Sequence, residues 1–151
     1  MKHGIQWDTF LRLINEYGTE AERCLECGLY LAGFACVRAA LETALASRYL
    51  SELWGWSKDD LAKYRIKVNE GTGYLHGVDL PPLKELIDQA GRDGLLGKKA
   101  TSAAHRIREY GNRIHPAKLA EGLKLPQMGK RNLRARLGDL ELVFDELFRS
   151  L

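Results

Sequence analysis

The chain has 151 residues, 45% of them hydrophobic and 28% charged, with a net charge of +3. These fractions are those of an ordinary soluble globular protein, and the length predicts one domain over residues 1–151. The longest apolar run, Leu29 to Val37, is too short to span a bilayer, and the N-terminus shows no secretory signal. We therefore expect a cytoplasmic protein without membrane contact.

The first two predicted helices are separated at Gly18. Apolar residues recur with helical spacing from Trp7 to Tyr17, and a glycine is a common residue directly after a helix. The second helix is expected from Glu20 to about Trp54, and its middle has almost no polar face, so it belongs at the centre of a bundle.

Two charged residues interrupt this apolar central helix. Arg38 and Glu42 stand four positions apart, and burying them requires partners for both charges. One interpretation pairs them with each other within the helix. The other has Glu42 reach Arg108 on a neighbouring helix and hold it in place.

The rest of the chain predicts four more helices and no strand. A capping box formed by Ser57 and Asp60 starts the third helix, and the glycine-rich segment Gly71–Gly77 is interpreted as a linker. The fourth helix covers Leu83–Ala90, the fifth Lys98–Ile114 and the last Met128–Leu151. No segment alternates with period two. The predicted fold is an all-α, up-and-down bundle of five to six helices.

The fifth helix carries a row of polar side chains on one face. Positions four and seven apart return to nearly the same side of an α-helix, so Arg108, Asn112 and His115 lie together. A guanidinium, an amide and an imidazole in one row suit a phosphate diester. Gly111, beside this row, allows close approach of another backbone, a ligand phosphate or a second helix. Pro116 ends the helix.

The same region is strongly basic. Residues 98–136 contain eleven basic and two acidic residues, a net charge of +9, so the remainder carries −6. Such a segregation indicates a polyanionic partner. The candidate nucleic-acid-binding residues here are Arg106, Arg113, Lys118, Lys130, Arg131 and Arg134.

The three cysteines do not predict a metal site or a disulfide. Cys24, Cys27 and Cys36 are an odd number in a chain expected to be intracellular, and no second pair or His-x-His completes a zinc site. We expect no metal and no cofactor.

The motif helix resembles that of the HEPN superfamily (higher eukaryote and prokaryote nucleotide-binding domains). The signature of that family is an Arg and a His a few residues apart with a polar residue between them, here Arg108, Asn112 and His115. More narrowly, two stretches, residues 38–42 and residues 83–115, resemble a bacterial domain-of-unknown-function branch that occurs alone or attached to restriction enzymes.

The resemblance implies a HEPN-like fold and metal-independent cleavage of RNA by attack of a 2′-hydroxyl. It further implies a homodimer with a composite cleft, in a toxin–antitoxin or anti-phage setting that would supply a protein partner. His115 would act as general base or acid and Arg108 would stabilise charge on the phosphate. Asn112 would hold the substrate or orient His115, with Glu42 and Gly111 in supporting positions.

Two alternatives stay open at this stage. Many active family members have a small polar residue directly after the Arg, where this chain has Glu109. The protein could therefore be a catalytically silent RNA-binding or dimerisation module of a defence or restriction assembly. The third hypothesis is binding of a small-molecule nucleotide.

Overall fold

Helices dominate the chain in a computed structural model that describes residues 6–76, 78–114, 117 and 128–149. This confirms the all-α prediction in its broad form. The elements of the described residues, apart from a 3₁₀ turn at Leu53–Gly55, are α1 (Trp7–Cys27), α2 (Tyr30–Glu52), α3 (Lys58–Lys63), β1 (Lys67–Val68), β2 (Leu75–His76), α4 (Leu83–Arg92), α5 (Lys98–Arg113) and α6 (Lys130–Leu147).

The break between the first two helices lies ten residues later than predicted. Gly18 is in the interior of α1, where a side chain would meet no atom within 4 Å, so nothing there forces the helix to end. The chain turns instead at Gly28, whose φ of 74° lies in the left-handed region that glycine adopts at little cost. The prediction of Gly18 as the boundary was therefore wrong.

Helix α2 packs against α1, α4, α5 and α6, as expected of a central helix. Its buried side chains include Phe34, Val37, Leu41 and Leu45, which join one main hydrophobic cluster. One face of α2 stays open, however, since Leu31, Ala35 and Glu42 are exposed at helical spacing. None of the described helices is long and apolar enough to cross a membrane.

A two-stranded hairpin replaces the predicted linker. Strands β1 and β2 are antiparallel, with Lys67 opposite His76 and Val68 opposite Leu75, and the turn contains Gly71 and Gly73. The prediction of no strand was wrong because two-residue strands are too short to show a period of two. The hairpin closes a second, smaller cluster; its buried members are Leu50, Leu53 and Leu61.

An ionic contact connects α4 to α5. The Asp88 carboxylate accepts a hydrogen bond from Lys84 Nζ at 2.7 Å and lies 2.9 Å from His105 Nε2. The hydrogen bond from Lys84, supported by the one from His105, lowers the pKa of Asp88. The ionised carboxylate is therefore favoured in the folded state more than in the unfolded chain.

We expect Asp88→Asn to destabilise the protein at neutral pH and to cost little in acid. Because the folded pKa of Asp88 is depressed, its contribution is present above its unfolded pKa of about 3.9 and disappears as the pH falls through the folded value. Urea unfolding at several pH values measures this difference. The control is Glu85→Gln, an exposed carboxylate on the same helix. A wild-type advantage over Asp88→Asn that persists in acid would contradict the assignment.

Candidate functional site

Helix α5 presents different residues to α2 and to α6. With about 100° per residue, Arg108 and Asn112 lie beside Gly111, the residue that faces α2. Arg106 turns the other way and contacts α6, and Tyr110 contacts both α2 and α6. The predicted site residues therefore divide between two surfaces of one helix.

The side chain of Arg38 crosses α5 at Gly111. A Cβ built on Gly111 would overlap the Cδ of Arg38 and lie 3.2 Å from its Cβ and Cγ. Gly111 is buried, and its missing side chain gives the stem of Arg38 the space it occupies. Gly111, in the interior of α5, thus allows the Arg38 side chain of α2 to pack closely against this helix.

The guanidinium of Arg38 then reaches the motif. Its Nη1 donates to Asn112 Oδ1 and lies 3.4 Å from the backbone carbonyl oxygen of Arg108. Because arginine has donors and no acceptor, Asn112 must present its oxygen to Arg38. The amide NH₂ of Asn112 is consequently directed away from Arg38, with two donors on the other side.

Arg108 keeps most of its hydrogen-bonding capacity. Its Nε is buried and has no hydrogen-bond partner among the described residues, and its side chain is 21% exposed. The nearest carboxylate oxygen in an ion pair with it is Glu109 Oε1, 3.9 Å from Nη2, on a side chain that is 55% exposed. A pair this long and this exposed contributes little. The guanidinium can therefore bind an oxyanion.

Neither predicted partner of Glu42 is found. Glu42 is exposed, and within the described residues it forms no ion pair with Arg38 or with Arg108. The charge of Arg38 is instead met by the oxygens of α5. Sequence reasoning identified Arg38 as a charge that needs a partner but did not place it at the site. Two sequence features together could have indicated this contact: an arginine in the apolar part of one helix and a glycine in the interior of another.

Two predicted residues lie outside the described part of the chain. These are His115, the candidate general base or acid, and Lys118, a candidate nucleic-acid contact. Arg108 and Asn112 are described and lie together, as the helical spacing predicts.

On the other surface of α5, Arg106 is committed to a structural contact. Its Nε and Nη2 donate to the two carboxylate oxygens of Asp139 on α6 at 3.1 and 2.7 Å, and this pairing raises the pKa of Arg106. Arg136 Nε lies 2.7 Å from the same carboxylate. The contact fixes α5 against α6. Arg106 is thus less available to nucleic acid than the sequence suggested.

An aromatic stack extends this contact. The ring of Tyr110 stacks on Phe34 of α2, with the centroids 5.3 Å apart. The guanidinium of Arg136 lies 4.7 Å from the Tyr110 centroid and that of Arg113 lies 5.6 Å from it. Three helices therefore meet at Tyr110.

The remaining candidate nucleic-acid residues in the described chain are exposed. They are Arg113, Lys130, Arg131 and Arg134. Arg113 points more than a quarter turn away from Asn112 on α5, and the other three are on the first turns of α6. They form a basic surface beside the Arg38–Asn112 contact rather than part of it.

The described residues contain no group of three or more metal-ligating side chains. In the same part of the chain, all three cysteines are free thiols, Cys24 buried, Cys36 partly buried and Cys27 exposed. The polar groups that the described residues bring to this site are arginine and amide donors.

Comparisons with known proteins leave the site to be interpreted from its own geometry. No protein-family model, curated protein or solved structure matches the chain.

We expect Gly111→Ala to separate Arg38 from Asn112 and to lower stability. The added methyl group overlaps the stem of Arg38, and overpacking of this kind costs about 1–3 kcal/mol, more than the helix gains from alanine. Urea unfolding measures the change. The matched control is Gly138→Ala, also inside a helix but with no atom within 4 Å, which should gain up to about 1 kcal/mol. Equal stabilisation by both substitutions would contradict the packing.

Proposed function

We propose that this protein binds RNA at the Arg38–Arg108–Asn112 cluster and cleaves it as a metal-independent, HEPN-like endoribonuclease. The observation that supports this best is the orientation of Asn112. Arg38 engages its oxygen, so its NH₂ group and the guanidinium of Arg108 offer donors from adjacent turns of α5. Such a set suits the non-bridging oxygens of a phosphodiester.

In the proposed reaction, the RNA 2′-hydroxyl attacks the adjacent phosphorus. The new O2′–P bond forms as the P–O5′ bond breaks, leaving a 2′,3′-cyclic phosphate and a free 5′-hydroxyl. A base takes the 2′-hydroxyl proton and an acid delivers a proton to O5′; His115 is proposed for one of these steps. Arg108 and Asn112 stabilise the charge that grows on the phosphate oxygens. The donors are preorganised because Arg38 already fixes the amide.

Homodimerisation is part of the same proposal. The open face of α2 carries exposed apolar residues, including Leu31, Ala32 and Ala35, near the position where Arg38 leaves the helix. A second copy docked on this face would bury apolar surface and bring two clusters together, as in the HEPN superfamily. The toxin–antitoxin or anti-phage defence setting, with an antitoxin or another defence-system protein as partner, is proposed on the family resemblance alone.

One observation favours a second candidate function, a silent RNA-binding module. The Glu109 carboxylate lies 3.9 Å from Arg108 Nη2 and would compete with a phosphate for that guanidinium. If Glu109 holds back binding, Glu109→Ser should tighten RNA binding and speed cleavage. If the chain is a silent module, Glu109→Ser should tighten binding without turnover.

The direct test of catalysis is cleavage of a single-stranded oligoribonucleotide in EDTA. We expect the wild type to produce cyclic-phosphate ends, and His115→Ala to lower the rate by about 10²–10⁴, the usual contribution of a general acid or base. Asn112→Ala should also slow cleavage. The control is Lys63→Gln, an exposed charge on α3 that is not among the candidate RNA contacts.

Mass spectrometry of the fragments identifies the ends. Intact RNA after long incubation with the folded wild type would contradict the proposed endoribonuclease activity. The silent RNA-binding module would then remain as the candidate function. Equal cleavage by His115→Ala would instead exclude the proposed acid or base.

A further inference from the structure

A basic hollow lies at the end of the molecule that carries the hairpin. It is shallow and open to solvent, and it is bounded by α3, by the turn that follows it and by both strands. Its cationic or protonatable lining residues are Lys58, Arg65, Lys67 and His76, and its acidic lining residue is Glu70.

The three permanent cations of this hollow are not neutralised. Some exposed cations elsewhere have a carboxylate close by, as in Arg12–Glu16 at 3.7 Å or Lys84–Asp88 at 2.7 Å. In the described residues, Lys58, Arg65 and Lys67 form no ion pair within 4 Å, although Glu70 lines the same hollow. Unpaired cations that converge on a concave surface indicate an anionic ligand.

Two of these residues also occupy locally unfavourable positions. Lys58 begins α3, where a positive charge opposes the helix dipole. Arg65 has a φ of 60°, a conformation that glycine adopts far more readily. Lys67 lies beside them on β1, directly opposite His76 of β2. Residues whose local positions lower the stability of the fold, and that cluster at one surface, are typical of a functional site.

The hydrophobic cluster under the hairpin holds the hollow in place. Ile66 and Val68, which line it, pack against the buried residues Leu50 and Leu53 at the end of α2. Lys67, between them in sequence, is exposed. The backbone that carries these cations is therefore packed against a hydrophobic cluster.

The hollow lies at the C-terminal end of α2, whereas Arg38 lies in the first half of that helix. Along the axis, Leu53 is about 22 Å from Arg38. A ligand that reaches both places must be extended and carry repeated negative charges. Single-stranded RNA has this form, whereas a mononucleotide does not.

We propose that the hollow binds backbone phosphates of RNA about 20 Å from the Arg38–Arg108–Asn112 cluster and so fixes the strand that the cluster acts on. This inference rests on the proposed function, since that function names RNA as the ligand. The chemistry recognised is the phosphodiester rather than a base, because Lys58, Arg65 and Lys67 supply cations and no Phe, Tyr or Trp of the described chain lines the hollow.

The test is equilibrium binding of fluorescent 2′-O-methyl RNA, which cannot be cleaved, measured by anisotropy over a range of salt. The variant is Arg65→Gly with Lys67→Gln. It removes two charges, and glycine at position 65 relieves the left-handed backbone, so the melting temperature should not fall. The matched control is Lys63→Gln, which removes a charge from α3 at a residue outside the lining of the hollow.

With an oligomer of about 16 nucleotides, we expect the double variant to bind more weakly than the wild type. The slope of log K against log salt concentration should also be shallower by about 1.4, because each of the two lost phosphate contacts contributes about 0.7. Binding of a dinucleotide should be unchanged. Lys63→Gln should behave as the wild type with both ligands.

The two proposals fail separately. If the double variant binds the long oligomer as the wild type does, while Arg108→Gln binds it more weakly, the hollow is excluded and the proposed function stands. If only the double variant binds more weakly, the hollow is supported and the cluster is not the RNA site. Absence of RNA binding by the wild type would overturn both. If the wild type binds polyglutamate and the double variant does not, while both bind RNA equally well, then the ligand of the hollow is an acidic protein segment and the inference is overturned.

Discussion

The close packing of Arg38 against Gly111 is the contact on which the candidate site depends. It brings a cation of α2 across α5 at a point where any side chain would occupy the same space. From there the guanidinium reaches the side-chain oxygen of Asn112 and the carbonyl of Arg108, so two helices jointly fix the amide. The Arg106–Asp139 pair holds the other surface of α5 against α6 and limits how far α5 can shift.

Much of the fold could be predicted from the sequence, and the errors have identifiable physical causes. The helix predicted over Lys98–Ile114 matches α5 within one residue, because its apolar positions recur with helical spacing. Gly18 and Gly28 could not be ranked as helix ends from sequence, since only the tertiary structure decides which glycine takes a positive φ. The hairpin was missed because its strands have two residues each.

The site was predictable where it is local and unpredictable where it is long-range. Helical spacing places Arg108 and Asn112 together because they lie on one helix. The partner of Arg38 is more than seventy positions away in sequence, and no periodicity specifies such a contact. The assignment of Glu42 to Arg108 assumed that Glu42 would be buried and would need a charged partner. In the structure the partly buried Arg38 donates to neutral oxygens, and the Glu42 carboxylate stays exposed.

The central claim is that Arg38, Arg108 and Asn112 form one phosphate-binding site. Nitrogen-15 NMR of the side chains, during titration with a 2′-O-methyl dinucleotide, tests it most directly. The account predicts that the Asn112 NH₂ and Arg108 Nε resonances shift together and saturate with one dissociation constant, while Arg106, held by Asp139, stays unchanged. Shifts confined to Arg106 or to the basic turns of α6, with Asn112 and Arg108 unaffected, would contradict it.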